Sequence, residues 1–254
     1  MALKSAIEWT DATWNPVTGC TKVSPGCAHC YAETITLRFK RGGPFLPGLT
    51  TIRLHPDRLA LPLSWKAPRN IFVNSMSDIF HEEVPLQFIQ EIFDVMGEAE
   101  RHTFQVLTKR HERLEALATE LVWPENVWLG VSVENQHWAD LRIPALLRVP
   151  AQVRFLSVEP LLKAVDLSEF LQGVQWVIVG GESGHRARPL EAEWVRKIRD
   201  DCKSAGVSFF FKQWGGHPNR RGHDCALLDG RIWRDLPVVD GELAAAKFLV
   251  GLGT

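Results

Sequence analysis

Long apolar runs are missing from this sequence. No stretch reaches the roughly 18 apolar residues that a membrane-spanning helix needs. The opening residues, MALKSAIEWT, lack the apolar core of a secretory signal. A cytoplasmic protein with no membrane partner is therefore expected. Charge of one sign is lacking too: 29 Lys and Arg stand against 30 Asp and Glu, a net charge of -1, which excludes a polybasic tail. There is no internal repeat and no low-complexity linker, so disordered and collagen-like chains are excluded. Tyrosine is almost absent, Tyr31 being the only one, whereas there are 10 Trp. Tryptophan concentrates in cores, pocket walls and interfaces, so an aromatic-lined cleft is hinted at. At 254 residues with 45% hydrophobic content, the chain can bury a large core as one barrel-sized domain or two small ones.

What is present is a recurring alternation. Apolar runs of strand length occur at Ile71–Asn74, Thr103–Thr108, Val127–Val133, Val153–Val158, Val174–Val179 and Val207–Phe211. They are apolar nearly throughout, as parallel strands covered on both faces are. Between them, Leu86–Ala99 and Glu191–Ala205 carry apolar residues at helical spacing, and His111–Leu121 and Gln136–Leu147 are shorter helix candidates. A first unit would pair a strand at Thr13–Cys20 with a helix over Ala28–Lys40. Repeated strand–helix units imply a parallel sheet with right-handed crossovers. No G-x-G-x-x-G follows the first strand, so the expected fold is α/β, a complete or partial (β/α) barrel. Gly42–Pro68 reads as a long loop. Leu227-Leu228-Asp229-Gly230-Arg231-Ile232-Trp233 reads as a hairpin on an Asp-Gly turn. The expected organisation is a barrel over residues 1–215 with a C-terminal extension, 216–254, packed on it.

In such a barrel, function gathers at the C-terminal strand ends. Those ends are polar here: Asn74, Ser75 and Asp78; Thr108, Lys109 and Arg110; Ser132 and Glu134; Glu159; Gly180, Gly181 and Glu182; Lys212 and Gln213. Any one of them also suits a helix cap or a solvated loop. Together they resemble the lining of a polar small-molecule pocket. Arg186, Arg188, Arg220 and Arg221 add local positive charge beside Trp214 and Trp233. That combination suits an anionic substrate, a nucleotide or a nucleic acid.

Cysteines are few and uneven. Five is an odd number, which argues against a disulfide framework in a cytosolic chain. Cys20, Cys27 and Cys30 form a C-x6-C-x2-C cluster around a Ser24-Pro25-Gly26 turn, whereas Cys202 lies on an apolar helical face and reads as core. The trio admits three readings: a 4Fe–4S cluster with one iron left open, a structural zinc with a fourth ligand from Cys225, His217 or His223, or unligated thiols.

Three cysteines just after the first strand of a βα barrel resemble the radical SAM superfamily. The segment Ile7–Cys20 through Cys30-Tyr31-Ala32, with the strand-end residues Asn15-Pro16, Ser132-Val133-Glu134 and Gly180-Gly181-Glu182, is similar to a divergent phage and bacterial branch of it, over about residues 7–215. The superfamily's usual spacing is C-x3-C-x2-C, so the first loop here is longer, and His29 stands where an aromatic is usual. Its usual Gly-Gly-Glu follows strand two, whereas here it ends strand six and its role is not carried over. The resemblance implies that Cys20, Cys27 and Cys30 hold a 4Fe–4S cluster and that S-adenosylmethionine binds its open iron. An external electron donor would then supply the electron that cleaves the sulfonium and yields a hydrogen-abstracting radical. It further implies Asn74, Ser75 and Asp78 at the methionine end, and Ser132 and Glu134 at the ribose hydroxyls. The rival from another class is a non-enzymatic nucleic-acid-binding protein containing structural zinc.

Overall fold

A computed structural model describes residues 5–33, 51–184, 186–216, 226–239 and 242–243. Its α/β fold is built on a seven-stranded parallel sheet with the strands in the order in which they occur along the chain. The sheet is open at its first and last strands, so the partial barrel is the form present. Two compact units divide the chain: residues 1–131 with 148–152, and residues 132–147 with 153–254.

In the first unit, β1 (Ala12–Trp14), β4 (Asn70–Val73), β5 (Thr103–Thr108) and β6 (Val127–Ser132, to Val131 in this unit) pair in parallel. Their side chains are buried on both faces, as the unbroken apolar runs anticipated; Trp14, Ile71 and Phe104 have no exposed surface. Helix α1 (Leu86–Glu98) buries Phe88, Ile89, Ile92, Phe93 and Met96, the stripe its spacing defines. Helix α2 (His111–Leu117) gives way to a 3-10 turn at Ala118–Glu120.

In the second unit, β7 (Val153–Val158), β8 (Trp176–Gly180) and β9 (Ser208–Gln213) are parallel. Helices α3 (Gln136–Leu147) and α4 (Ala192–Ala205) belong to it. The hairpin forms as expected: β10 (Leu227–Leu228) and β11 (Arg231–Ile232) are antiparallel around Asp229 and Gly230, both with positive φ, at 54° and 74°.

Four expectations are corrected. The first strand is not continuous over Thr13–Cys20. Proline cannot donate to a ladder, and at Asn15-Pro16 the chain leaves β4 for a different partner: β2 (Val17–Thr18) pairs antiparallel with β3 (Arg53–Leu54). The next helix does not start at Ala28, which caps a 3-10 turn at Pro25–Cys27; helical residues begin at Tyr31, and 34–40 lie outside the described residues. The loop over Gly42–Pro68 contains β3 and two 3-10 turns, Pro56–Arg58 and Leu61–Ser64, with 42–50 outside the described residues. Finally, no helix joins β7 to β8. There the backbone is drawn off to the strand ends: Leu161 N–H donates to Gly180 O at 3.0 Å and Leu162 N–H to Glu134 O at 2.8 Å. Among the described residues no helix is long and apolar enough to cross a membrane.

Candidate functional site

The chain approaches the cysteines along the end of β4. Gly19 N–H donates to Met76 O at 3.3 Å, and Ser77 Oγ to Val17 O at 2.8 Å. Gly19 has φ of 98°, and a Cβ there would lie 2.5 Å from Thr51 O, so only glycine turns the chain into Cys20 at this spot. Cys20, Cys27 and Cys30 follow, all half-buried and none in a disulfide. Ser24 Oγ lies 3.8 Å from Cys27 Sγ. The Tyr31 hydroxyl donates to Ser75 O, tying the residue after Cys30 back to β4.

Two of the expected cofactor residues frame this loop. Asn74, at the end of β4, is buried with φ of 57°. Its N–H donates to Trp14 O at 2.8 Å and its Oδ1 accepts from Val17 N–H at 3.4 Å. Its Nδ2 is buried and has no hydrogen-bond partner among the described residues. Ser75 Oγ donates to Asn15 Oδ1 at 3.2 Å. Asp78 is engaged differently. Its carboxylate accepts from Phe80 N–H, Lys109 N–H and Thr108 Oγ1 at 2.9–3.0 Å, which ties the end of β4 to the end of β5.

The electrostatics of the loop are mixed. Burial, reinforced by Asp78, pushes the Cys20 thiol up to about 12, while Arg110 pulls it down. A thiol so placed is protonated at neutral pH unless a cationic centre binds the thiolate. Arg110 also donates to Thr21 Oγ1 at 2.7 Å and pairs with Glu82. His81 meets Thr21 Oγ1 through Nε2 at 2.9 Å, and burial, reinforced by Arg110, holds its imidazole below the ordinary histidine range. Sequence spacing gave no sign of this Thr21–His81–Arg110 arrangement, because its members are separated by 60 and 89 positions.

Among the described residues, no three His, Cys, Asp or Glu side chains converge on a position that could hold a single metal ion. The fourth zinc ligands considered, Cys225, His217 and His223, lie outside the described residues, as do Arg220 and Arg221. The thiols of a 4Fe–4S cube bind different irons and stand further apart than the ligands of one ion. Three half-buried thiols outside any disulfide are a donor set that suits that larger group, and Asn74 at the end of β4 keeps a buried amide nitrogen without a partner among the described residues.

The strand ends of the second unit are occupied by its own side chains. Glu134 and Arg142 are both fully buried; Arg142 Nη1 donates to Glu134 Oε2 at 2.9 Å and to Ser132 O at 2.8 Å. Ser132 Oγ is buried without a partner among the described residues. Arg188 binds the buried Glu182 through both its backbone N–H, at 3.0 Å, and its guanidinium. Glu159 accepts from Lys212 at 2.6 Å. The close approach at Gly181 is by backbone: a Cβ there would lie 2.0 Å from Trp214 O. Trp233, read from sequence as a stacking surface, is buried, with the Arg231 guanidinium 4.2 Å from its ring centroid.

A family model described as "Protein of unknown function (DUF5131)" matches residues 4–237. No curated protein matches the chain. Among solved structures, the chain is similar to a cysteine-to-serine mutant of spore photoproduct lyase, with a TM-score of 0.53 and 13% identity over 83% of this chain and 79% of that one. Spore photoproduct lyase complexed with dinucleoside spore photoproduct gives a TM-score of 0.48 at 14% identity, over 77% and 75% of the two chains.

Proposed function

This chain belongs to the DUF5131 family of proteins of unknown function, and we propose that it is a radical SAM enzyme acting on a nucleotide or nucleic acid. Its fold is shared with spore photoproduct lyase, a radical SAM enzyme. The observation that carries the reading is the cysteine loop: Cys20, Cys27 and Cys30, half-buried and outside any disulfide, where the chain leaves the first strands of a parallel α/β sheet. In this reading residues 1–215 form the radical-SAM-like domain and 216–254 its extension.

The three thiolates would hold a 4Fe–4S cluster, which with S-adenosylmethionine supplies one-electron cleavage of a sulfonium and a hydrogen-abstracting radical. The chain's own groups hold and orient. The Asn74 amide nitrogen is the proposed donor to the methionine carboxylate, and the Ser75 hydroxyl, whose hydrogen goes to Asn15 Oδ1, is the proposed acceptor from the methionine amino group. Asp78 holds the backbone that presents them, since its carboxylate accepts from Phe80, Thr108 and Lys109. In the second unit, the Ser132 hydroxyl is the proposed ribose contact, and Glu134, closed by Arg142, positions it. An external donor supplies the electron. The basic side chains Arg186, Lys203, Arg231 and Arg234, all exposed, support an anionic substrate.

Two measurements test this. After anaerobic reconstitution the wild-type chain should carry iron and sulfide with a brown chromophore; zinc at one per chain and no chromophore would instead identify the structural-zinc binder. Oligonucleotide affinity should fall as salt rises. Affinity indifferent to salt would remove the nucleic-acid substrate.

A further inference from the structure

Arg110 lies just beyond β5 and is anchored there. Its N–H donates to Thr108 Oγ1 at 2.9 Å, and that hydroxyl is held by Asp78. From this anchor the side chain, 9% exposed, reaches the cysteine loop. Nη2 donates to Thr21 Oγ1 at 2.7 Å and to Thr21 O at 3.3 Å, while Nη1 pairs with Glu82. Its positive charge lies close enough to the Cys20 thiol to pull it down. The residue after the first cysteine is thus gripped by both its hydroxyl and its carbonyl. Only a planar fork can serve those oxygens and a carboxylate at once; an ammonium is a point charge on a flexible stem.

Resting on the cluster reading above, we infer that Arg110 is a positioning residue of the cysteine site, fixing Cys20 for its iron and raising the potential of the cluster held there. Reduction of a cluster adds negative charge. A cation held against the loop of one thiolate stabilises the reduced form over the oxidised one. A residue that merely braced the loop would leave the potential unmoved, so the two roles separate by measurement.

The experiment reconstitutes the full-length wild type, Arg110→Lys and Arg110→Gln anaerobically. It reads iron per chain and the midpoint of a redox titration followed by electron paramagnetic resonance, with circular dichroism to check folding. Arg110→Gln should shift the midpoint to more negative potential or lose iron, with Arg110→Lys nearer the wild type in both. Wild-type iron content and midpoint in Arg110→Gln would overturn the inference and leave the cluster reading standing. A wild type that takes up no iron would overturn both. Should Arg110→Gln fail to fold, Thr21→Val removes the 2.7 Å bond and keeps the charge. It should lower iron content, and unchanged iron would overturn the positioning role.

Discussion

In the first unit, the groups that follow β1 and β4 are half-buried thiols outside any disulfide, and the Asn74 amide nitrogen, which has no hydrogen-bond partner among the described residues. In the second unit, the carboxylates that follow β6, β7 and β8 each meet a cation of that same unit: Glu134 with Arg142, Glu159 with Lys212, and Glu182 with Arg188. Both sets look alike in sequence, as polar residues at strand ends. The energetics differ. A buried charge must be matched within the protein or be lost to protonation, so the second unit's carboxylates are engaged in holding their own loops. Asp78 in the first unit behaves as they do, and Ser132 in the second does not, so the distinction runs by side chain as well as by unit.

The comparison can be broken most sharply at the thiols. Cys27→Ser should bring iron uptake down to background after reconstitution, whereas Glu159→Gln, in the second unit, should leave it at the wild-type level; full iron in the cysteine variant would erase the contrast. Next in size is Arg142→Met. It leaves Glu134 buried without its cation, a loss of about 3–5 kcal/mol, read as a lower urea midpoint. An unchanged midpoint would mean that the pair is solvated.

Asn74→Gly sharpens the contrast within the first unit. Glycine accepts the positive φ of 57° without strain, so the fold should persist. Loss of the amide should weaken S-adenosylmethionine binding roughly tenfold, about one hydrogen bond's worth. Equal affinity in equilibrium dialysis would remove Asn74 from the proposed contacts.

The last expectation, confined to alkaline pH, is a pH dependence at Cys202. Burial raises its thiol to about 12, above the ordinary 9.0 of an unfolded chain. A folded value above the unfolded one stabilises the native state fully below pH 9.0, and the contribution is lost as pH rises towards 12. Denaturation of wild type and Cys202→Ala across that window should show the two converging. A constant gap would contradict the burial effect.

Much of the fold was legible because its strands are covered on both faces. Thr103–Thr108 and Val153–Val158 stand out as apolar runs and form strands over those same residues. Helix α1 announces its buried face by period alone. The break at Pro16 carried a signal in the proline itself. The missing helix before β8 did not, because its cause is the capture of Leu161 and Leu162 by strand-end carbonyls distant in sequence. The cysteine loop was legible through spacing. The partners of the charged residues were not: arginine on a helix reads as surface, yet tertiary packing turns Arg142 inward, and Arg110, legible as a strand-end residue, meets Thr21 across 89 positions of sequence.

The most direct measurement incubates the reconstituted, reduced protein anaerobically with S-adenosylmethionine and quantifies 5′-deoxyadenosine. Wild type should form it and Cys27→Ala should not. Equal product from the two, or none from a wild type that carries its full iron, would contradict the radical SAM reading of this cysteine loop.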